Sequence, residues 1–383
     1  MTMLEVSMEE LEYWLQRVPV VATAHPLVPL CLPPGTRVTS NPNEILSLID
    51  QLSCQLVEPI LILSDQTELT TRFPQLTILA QPPDELINER LPDNLPYARS
   101  HLLTTRKIAE RIEIDVSLNN YETIILFLVD GLSYADVVNW PCELEPCFVD
   151  GPSVTFRLKD DAGTELAQSI GFPAIVGRPS ICSRLYRQGY RNARGYTYWN
   201  RDNSVADYMF TGIPYERVAN FEAVLEYLAT EDSLKHTYVQ IMREGLDGLA
   251  HSKRELRQQE IDASILGILH DVERLMELLQ EKELRACIYL TADHGILWKT
   301  SHPFRIVPGI NTRHPRYCVG TSIETIDREC TVLFDQDGTP YHLFKYPFLG
   351  APIKANDSGV HGGLSYQESI VPFAKFEVKR KWN

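Results

Sequence analysis

From Thr123 the chain runs Thr-Ile-Ile-Leu-Phe-Leu-Val, apolar at successive positions rather than at alternate ones, and it ends on Asp130. A strand that is apolar on both faces belongs inside a parallel sheet whose two faces are both covered. Runs of the same kind predict strands at 236–242 and 286–291. Between these two, Ile261, Ile265, Ile268, Val272, Leu275 and Leu279 recur at three- and four-residue steps, with Glu and Arg on the other side, which predicts a long amphipathic helix. This alternation of strand and helix predicts an α/β fold: an open, mostly parallel central sheet with helices on both faces, and a ligand site at the carboxyl ends of its strands.

The pattern is weaker elsewhere. Residues 1–115 hold one short apolar run, Pro59-Ile60-Leu61-Ile62-Leu63, among helical-looking segments and proline-rich turns at 26–35 and 82–96. A small N-terminal α/β segment or domain is expected there, followed by a larger domain over 116–383. Within the larger domain, residues 300–358 read as a small insert, with a hairpin turn predicted at Asp337-Gly338.

Composition narrows the functions open to such a fold. The 383 residues are 44% hydrophobic, enough to bury a large core, and the formal net charge of −15 excludes nucleic-acid binding through a basic surface. The start is acidic and has no basic flank before an apolar run, so no secretory signal is expected, and no stretch approaches the ~18 apolar residues of a membrane span. Eight cysteines lie scattered without a paired framework, the pattern of reduced thiols in a cytoplasmic protein.

The predicted strand ends carry the chemistry. They read Val129-Asp130-Gly131, Gly245-Leu246-Asp247 with His251 beyond it, and Thr291-Ala292-Asp293-His294-Gly295, and a later segment gives Gly359-Val360-His361-Gly362-Gly363. Each alone has an ordinary explanation as a helix cap, a turn or a loop polar. Together they gather three carboxylates and three imidazoles where one sheet would bring them to one place. Carboxylate oxygen and neutral imidazole nitrogen are ligands for Zn²⁺ or Mn²⁺, and six of them suffice for two ions.

In their order, "LVDGLSYADV", "LDGLAH", "TADHG" and "HGGLSYQESIVP" resemble the metal motifs of the alkaline phosphatase superfamily, in particular its nucleotide pyrophosphatase/phosphodiesterase branch and the PglZ domain. The resemblance spans about 122–375, and the closing motif is its most specific part. It implies that Asp130, Asp293 and His294 hold one divalent ion, and that Asp247, His251 and His361 hold the other. The ions would be zinc, with manganese the alternative. It also implies a Ser or Thr nucleophile. "GPSVT" supplies Thr155 as the first choice, although the Thr-Gly that normally follows a short helix later is missing; "RPSICSRLYRQG" keeps Ser180 and Cys182 open.

The implied activity is that of a phosphodiesterase or phosphatase: two metals and a Thr155 alkoxide acting on a phosphate ester. PglZ domains are associated with phage-defence systems, so partner proteins of such a system are implied as well. A non-hydrolytic PglZ-type adaptor is the alternative. In the insert, Arg305, Arg313, Arg316, Lys345 and Lys354 are basic side chains that could face a phosphate, or could serve as solvated surface charge.

Overall fold

The computed structural model describes residues 20–23, 27–31, 37–39, 60–63, 84–150, 155–159, 165–169, 171–198, 213–252, 256–299, 304–310, 312–319, 329–334 and 340–379. The chain divides into two compact units, Met1–Leu102 and Leu103–Asn383. In the first, the apolar run Ile60–Leu63 forms the central strand of a three-stranded parallel sheet, between Val20–Thr23 and Arg37–Thr39. The side chain of Asn94 donates to the carbonyl of Leu30 at 2.7 Å, which ties the start of the helix Leu95–His101 to the turn Val28–Cys31.

The second unit is built on an eight-stranded sheet. In chain order its strands are β1 (Leu103–Thr104), β2 (Thr123–Asp130), β3 (Leu144–Phe148), β4 (Asn192–Thr197), β5 (Glu216–Arg217), β6 (Thr237–Glu244), β7 (Ala286–Ala292) and β8 (Ile370–Val378). Across the sheet they run β5-β4-β6-β2-β7-β8-β3-β1. All are parallel except β8, which is antiparallel to both neighbours. Every residue of β2 and β7 is buried, so both faces of the sheet are covered, as the unbroken apolar runs predict.

Three helices account for much of that cover: α1 (Ile108–Asn119), α2 (Phe221–Thr230) and α4 (Gln258–Glu281); the short α3 (Asp247–Ser252) carries part of the site. The six apolar residues predicted for the α4 stripe are all buried, each contributing about 1.5–3 kcal/mol relative to exposure. The side chain of Asn220 caps α2 by accepting from the Ala223 N–H at 2.8 Å.

Two strands depart from simple pattern reading. Pro372 interrupts β8 and Pro146 interrupts β3, yet the register sets the two prolines opposite each other, so neither residue at that rung has an N–H to donate. In the insert, Cys330–Phe334 and Pro340–Phe344 pair antiparallel as a hairpin requires, while the Asp337-Gly338 turn lies outside the described residues. Cys31, Cys142, Cys147, Cys182, Cys287 and Cys330 are free thiols. No helix among the described residues is long and apolar enough to cross a membrane.

Candidate metal centre

Adjacent strands β6, β2 and β7 deliver Asp247, Asp130 and Asp293 to the same edge of the sheet. The chain turns there on glycines that leave no room for a side chain. Gly131 has φ +75°, and a Cβ on it would meet the Asp247 nitrogen at 2.9 Å; a Cβ on Gly245 would lie 2.2 Å from the Asp130 carbonyl oxygen. The turns are pinned together by Gly131 N–H donating to Asp293 Oδ1 at 3.2 Å and Leu132 N–H donating to the His294 carbonyl at 2.7 Å. Asp130 does not cap the helix that follows it, because Ser133 does, accepting from the Ala135 N–H at 3.1 Å.

Two clusters result, one of Asp130, Asp293 and His294 and the other of Asp247, His251 and His361. In the first, His294 Nε2 lies 3.4 Å from Asp130 Oδ1 and 3.5 Å from Asp293 Oδ2. In the second, Asp247 Oδ1 lies 3.3 Å from His251 Nε2 and 3.4 Å from His361 Nε2. An ion with tetrahedral ligands at about 2.0–2.1 Å sets those ligands about 3.3–3.4 Å apart, so these spacings suit one ion per cluster. Asp247 Oδ1 is buried and accepts no hydrogen bond, leaving lone pairs that a cation would satisfy. The rings of His294 and His361 stack with centroids 4.0 Å apart, which makes the clusters neighbours.

Outer partners fix the imidazole tautomers. His294 Nδ1 donates to the Gly295 carbonyl at 3.2 Å, which leaves Nε2 with its lone pair toward the carboxylates. Asp357 Oδ2 stands 3.5 Å from His251 Nδ1 and does the same for that ring. His361 is placed by Gly359–Val360, which pairs antiparallel with Leu297–Trp298.

Sequence reasoning did not find three residues at this site. Asp357 belongs to the insert, but its position four residues ahead of His361 was an available signal. Tyr198, just past β4, donates its hydroxyl to Asp130 Oδ2 in a short hydrogen bond. His314, also from the insert, has its ring 6.0 Å from that of His361.

Burial pushes the Asp293 carboxyl up. Burial alone would lower His294, but the Asp293 and Asp130 carboxylates outweigh it and raise the ring well above its ordinary value. The Asp247 carboxylate beside it raises His251, while burial and then the neighbouring His361 and His251 push His314 down to about 3.

The proposed nucleophiles and phosphate-facing cations fall out differently. Thr155 opens the strand Thr155–Lys159, and its side chain lies outside the described residues. Ser180 caps the helix Ile181–Arg187 by accepting from the Ser183 N–H at 3.1 Å. Cys182 is buried, its thiol pushed up to about 12 by burial. Arg316 does not face a phosphate: it is fully buried and forks onto Glu368, with Nε to Oε1 at 2.9 Å and the second nitrogen to Oε2 at 2.7 Å. The motif supplied a carboxylate, and a buried guanidinium pairs with it rather than with a ligand. Arg305, Arg313 and Lys354 are exposed and Lys345 is half-buried.

The second unit thus defines a class of protein: an α/β fold with two neighbouring Asp/His clusters of metal-ligand geometry at the carboxyl ends of a mostly parallel sheet. No family model and no curated protein matches the sequence. Among solved structures the chain is similar to murine ectonucleotide pyrophosphatase/phosphodiesterase 5, at 11% identity and TM-score 0.43 over 66% of this chain and 87% of that one. The human protein of the same name gives 11% identity and TM-score 0.43 over 67% and 87%. The zinc complex of the C-terminal periplasmic domain of EcEptC from Escherichia coli gives 12% and 0.30 over 46% and 64%. At such identities and scores, what the site does is read from its own residues.

Proposed function

We propose that the protein is a metal-dependent phosphoryl-transfer hydrolase using two divalent ions and Thr155. The observation that carries this is the pair of neighbouring clusters, each with ligand atoms spaced for one ion, together with the orphaned Oδ1 of Asp247. The donor sets, two histidines with one aspartate and two aspartates with one histidine, suit zinc, with manganese the alternative. Ions held there neutralise phosphoryl oxygens and favour the alkoxide of a nearby hydroxyl.

Backbone placement supports Thr155. It pairs with Ser169, which precedes by two residues Gly171, and a Cβ on Gly171 would lie 2.5 Å from Asp293 Cβ. Gly171 thus abuts Asp293, and Thr155 is separated from it by one strand pairing and two residues of chain. In the proposed cycle the Thr155 hydroxyl gives up its proton and its oxygen bonds to phosphorus as the ester alcohol leaves with a proton; water then cleaves the phosphothreonine, restoring the hydroxyl and releasing phosphate from a monoester or a phosphate monoester from a diester. The PglZ-like closing motif extends the proposal to a cytoplasmic component of a phage-defence system that works with partner proteins.

The test is turnover of bis-p-nitrophenyl phosphate against p-nitrophenyl phosphate, before and after chelation. Loss of hydrolysis on chelation and recovery on re-metallation are expected, and the faster substrate separates diesterase from monoesterase. Bound metal with no hydrolysis of any phosphate ester would favour the adaptor instead. Thr155→Ala is expected to abolish turnover with metal content unchanged; an active Thr155→Ala beside a dead Ser180→Ala or Cys182→Ala would move the nucleophile.

Proton competition gives a further expected result. The neighbouring carboxylates raise the proton affinity of His251 and His294, and a metal ion binds only the neutral rings, so metal uptake is expected to release protons. Affinity therefore rises with pH, and the acid limb of activity shifts to lower pH as free metal increases. Calorimetry in two buffers of different ionisation heat reads the released protons, and acid limbs that superimpose at two metal concentrations would refute the competition.

A further inference from the structure

His314 is fixed more firmly than an insert residue needs to be. Its Nδ1 accepts the Arg316 N–H at 3.3 Å, its carbonyl accepts the Thr312 hydroxyl at 2.6 Å, and its ring packs against Tyr317 with centroids 4.2 Å apart. Arg316 is in turn clamped on Glu368, in the segment that follows His361. The ring is tilted 63° to that of His361 and supplies no ligand atom to either cluster.

The tautomer determines what the ring can do. Because Nδ1 accepts from a backbone N–H, the neutral ring carries its proton on Nε2. Its one in-plane lone pair is thus occupied, which excludes a role as a metal ligand without breaking that bond. What remains is a neutral, oriented N–H donor beside the Asp247–His251–His361 cluster. Such a donor suits an oxygen that bears negative charge and sits against a cation, as a non-bridging phosphoryl oxygen does.

We infer that His314 is a substrate-contacting residue whose Nε2–H donates to a non-bridging oxygen of the phosphoryl group, an assignment that rests on the phosphoryl-transfer reading of the site. The insert then shapes the site through a fixed hydrogen bond rather than through the arginines and lysines its sequence offers.

The experiment compares His314→Leu with His314→Gln in the metal-loaded full chain, since glutamine returns an N–H close to the Nε2 position. His314→Leu is expected to lower kcat/KM by about 10- to 100-fold, the worth of one hydrogen bond to a charged group, and to weaken inhibition by inorganic phosphate in parallel. Both ions should remain by elemental analysis, and His314→Gln should recover part of the loss. A Leu variant with wild-type kcat/KM and phosphate inhibition, a Leu variant that loses metal, or a Gln variant no better than Leu would each overturn the assignment. Phosphate binding to the metal-loaded wild type, followed by calorimetry, separates the two levels. Absence of both binding and turnover removes the phosphoryl-transfer reading and His314 with it, whereas wild-type binding beside an unaffected Leu variant removes His314 alone.

Discussion

Asp293→Ala is expected to reduce the metal content from two ions per chain to about one and to abolish turnover. The residue is 1% exposed, and its Oδ2 faces His294 Nε2. Its Oδ1 also accepts the N–H groups of Gly131 at 3.2 Å and His294 at 3.0 Å. Alanine removes a ligand and strands those two donors, so a stability loss of about 1–3 kcal/mol should accompany the loss of metal. Asp293→Asn keeps an acceptor for the donors while removing the charge. It should remain as folded as the wild type yet bind one ion fewer, which separates ligation from folding. Elemental analysis showing two ions retained in both variants would remove Asp293 from the ligand set.

The other large effect expected is on stability. Arg316 and Glu368 are both fully buried, and Glu368 further accepts the Ser365 hydroxyl at 2.6 Å and the Gly363 N–H at 3.0 Å. Its carbonyl accepts the Gly295 N–H at 3.1 Å, so one residue braces the segments that carry His361 and His294. Arg316→Met or Glu368→Gln alone leaves an uncompensated buried charge, expected to cost about 3–5 kcal/mol in urea unfolding. The double replacement Arg316→Met with Glu368→Met should recover most of that loss, because two apolar side chains of similar volume remove both charges together. A single variant with a wild-type midpoint would show that water reaches the pair.

What could be read in the sequence was whatever depends on period. β2, β6, β7 and α4 bury their apolar residues continuously or at helical steps, and each was visible as such. β4 was not, because it is half-buried in alternation and contains Gly195. β3 and β8 were hidden by their prolines, which a sequence offers as breakers and the fold tolerates by setting them opposite each other. The six Asp and His positions were legible because they follow strands or stand in ordered motifs. Tyr198 and His314 were not, since each reaches the site from a segment whose place depends on how distant strands order themselves. Arg316 shows the converse: a cation that looked suited to a ligand is taken up by a carboxylate many residues later, and only the packing reveals the pairing.

The place of β8 bears on how the protein is made. It is the latest strand of the sheet in chain order, yet it occupies an interior position between β7 and β3. While the ribosome is still translating the segments before it, β7 presents an open edge of unpaired N–H and C=O groups, and β1 and β3 have no neighbour through which to join the other strands. A nascent chain at that stage is exposed to mispairing with other chains. His361 emerges only shortly before β8, so a half-made chain cannot assemble the Asp247–His251–His361 cluster, which forms only as synthesis nears the end of this unit.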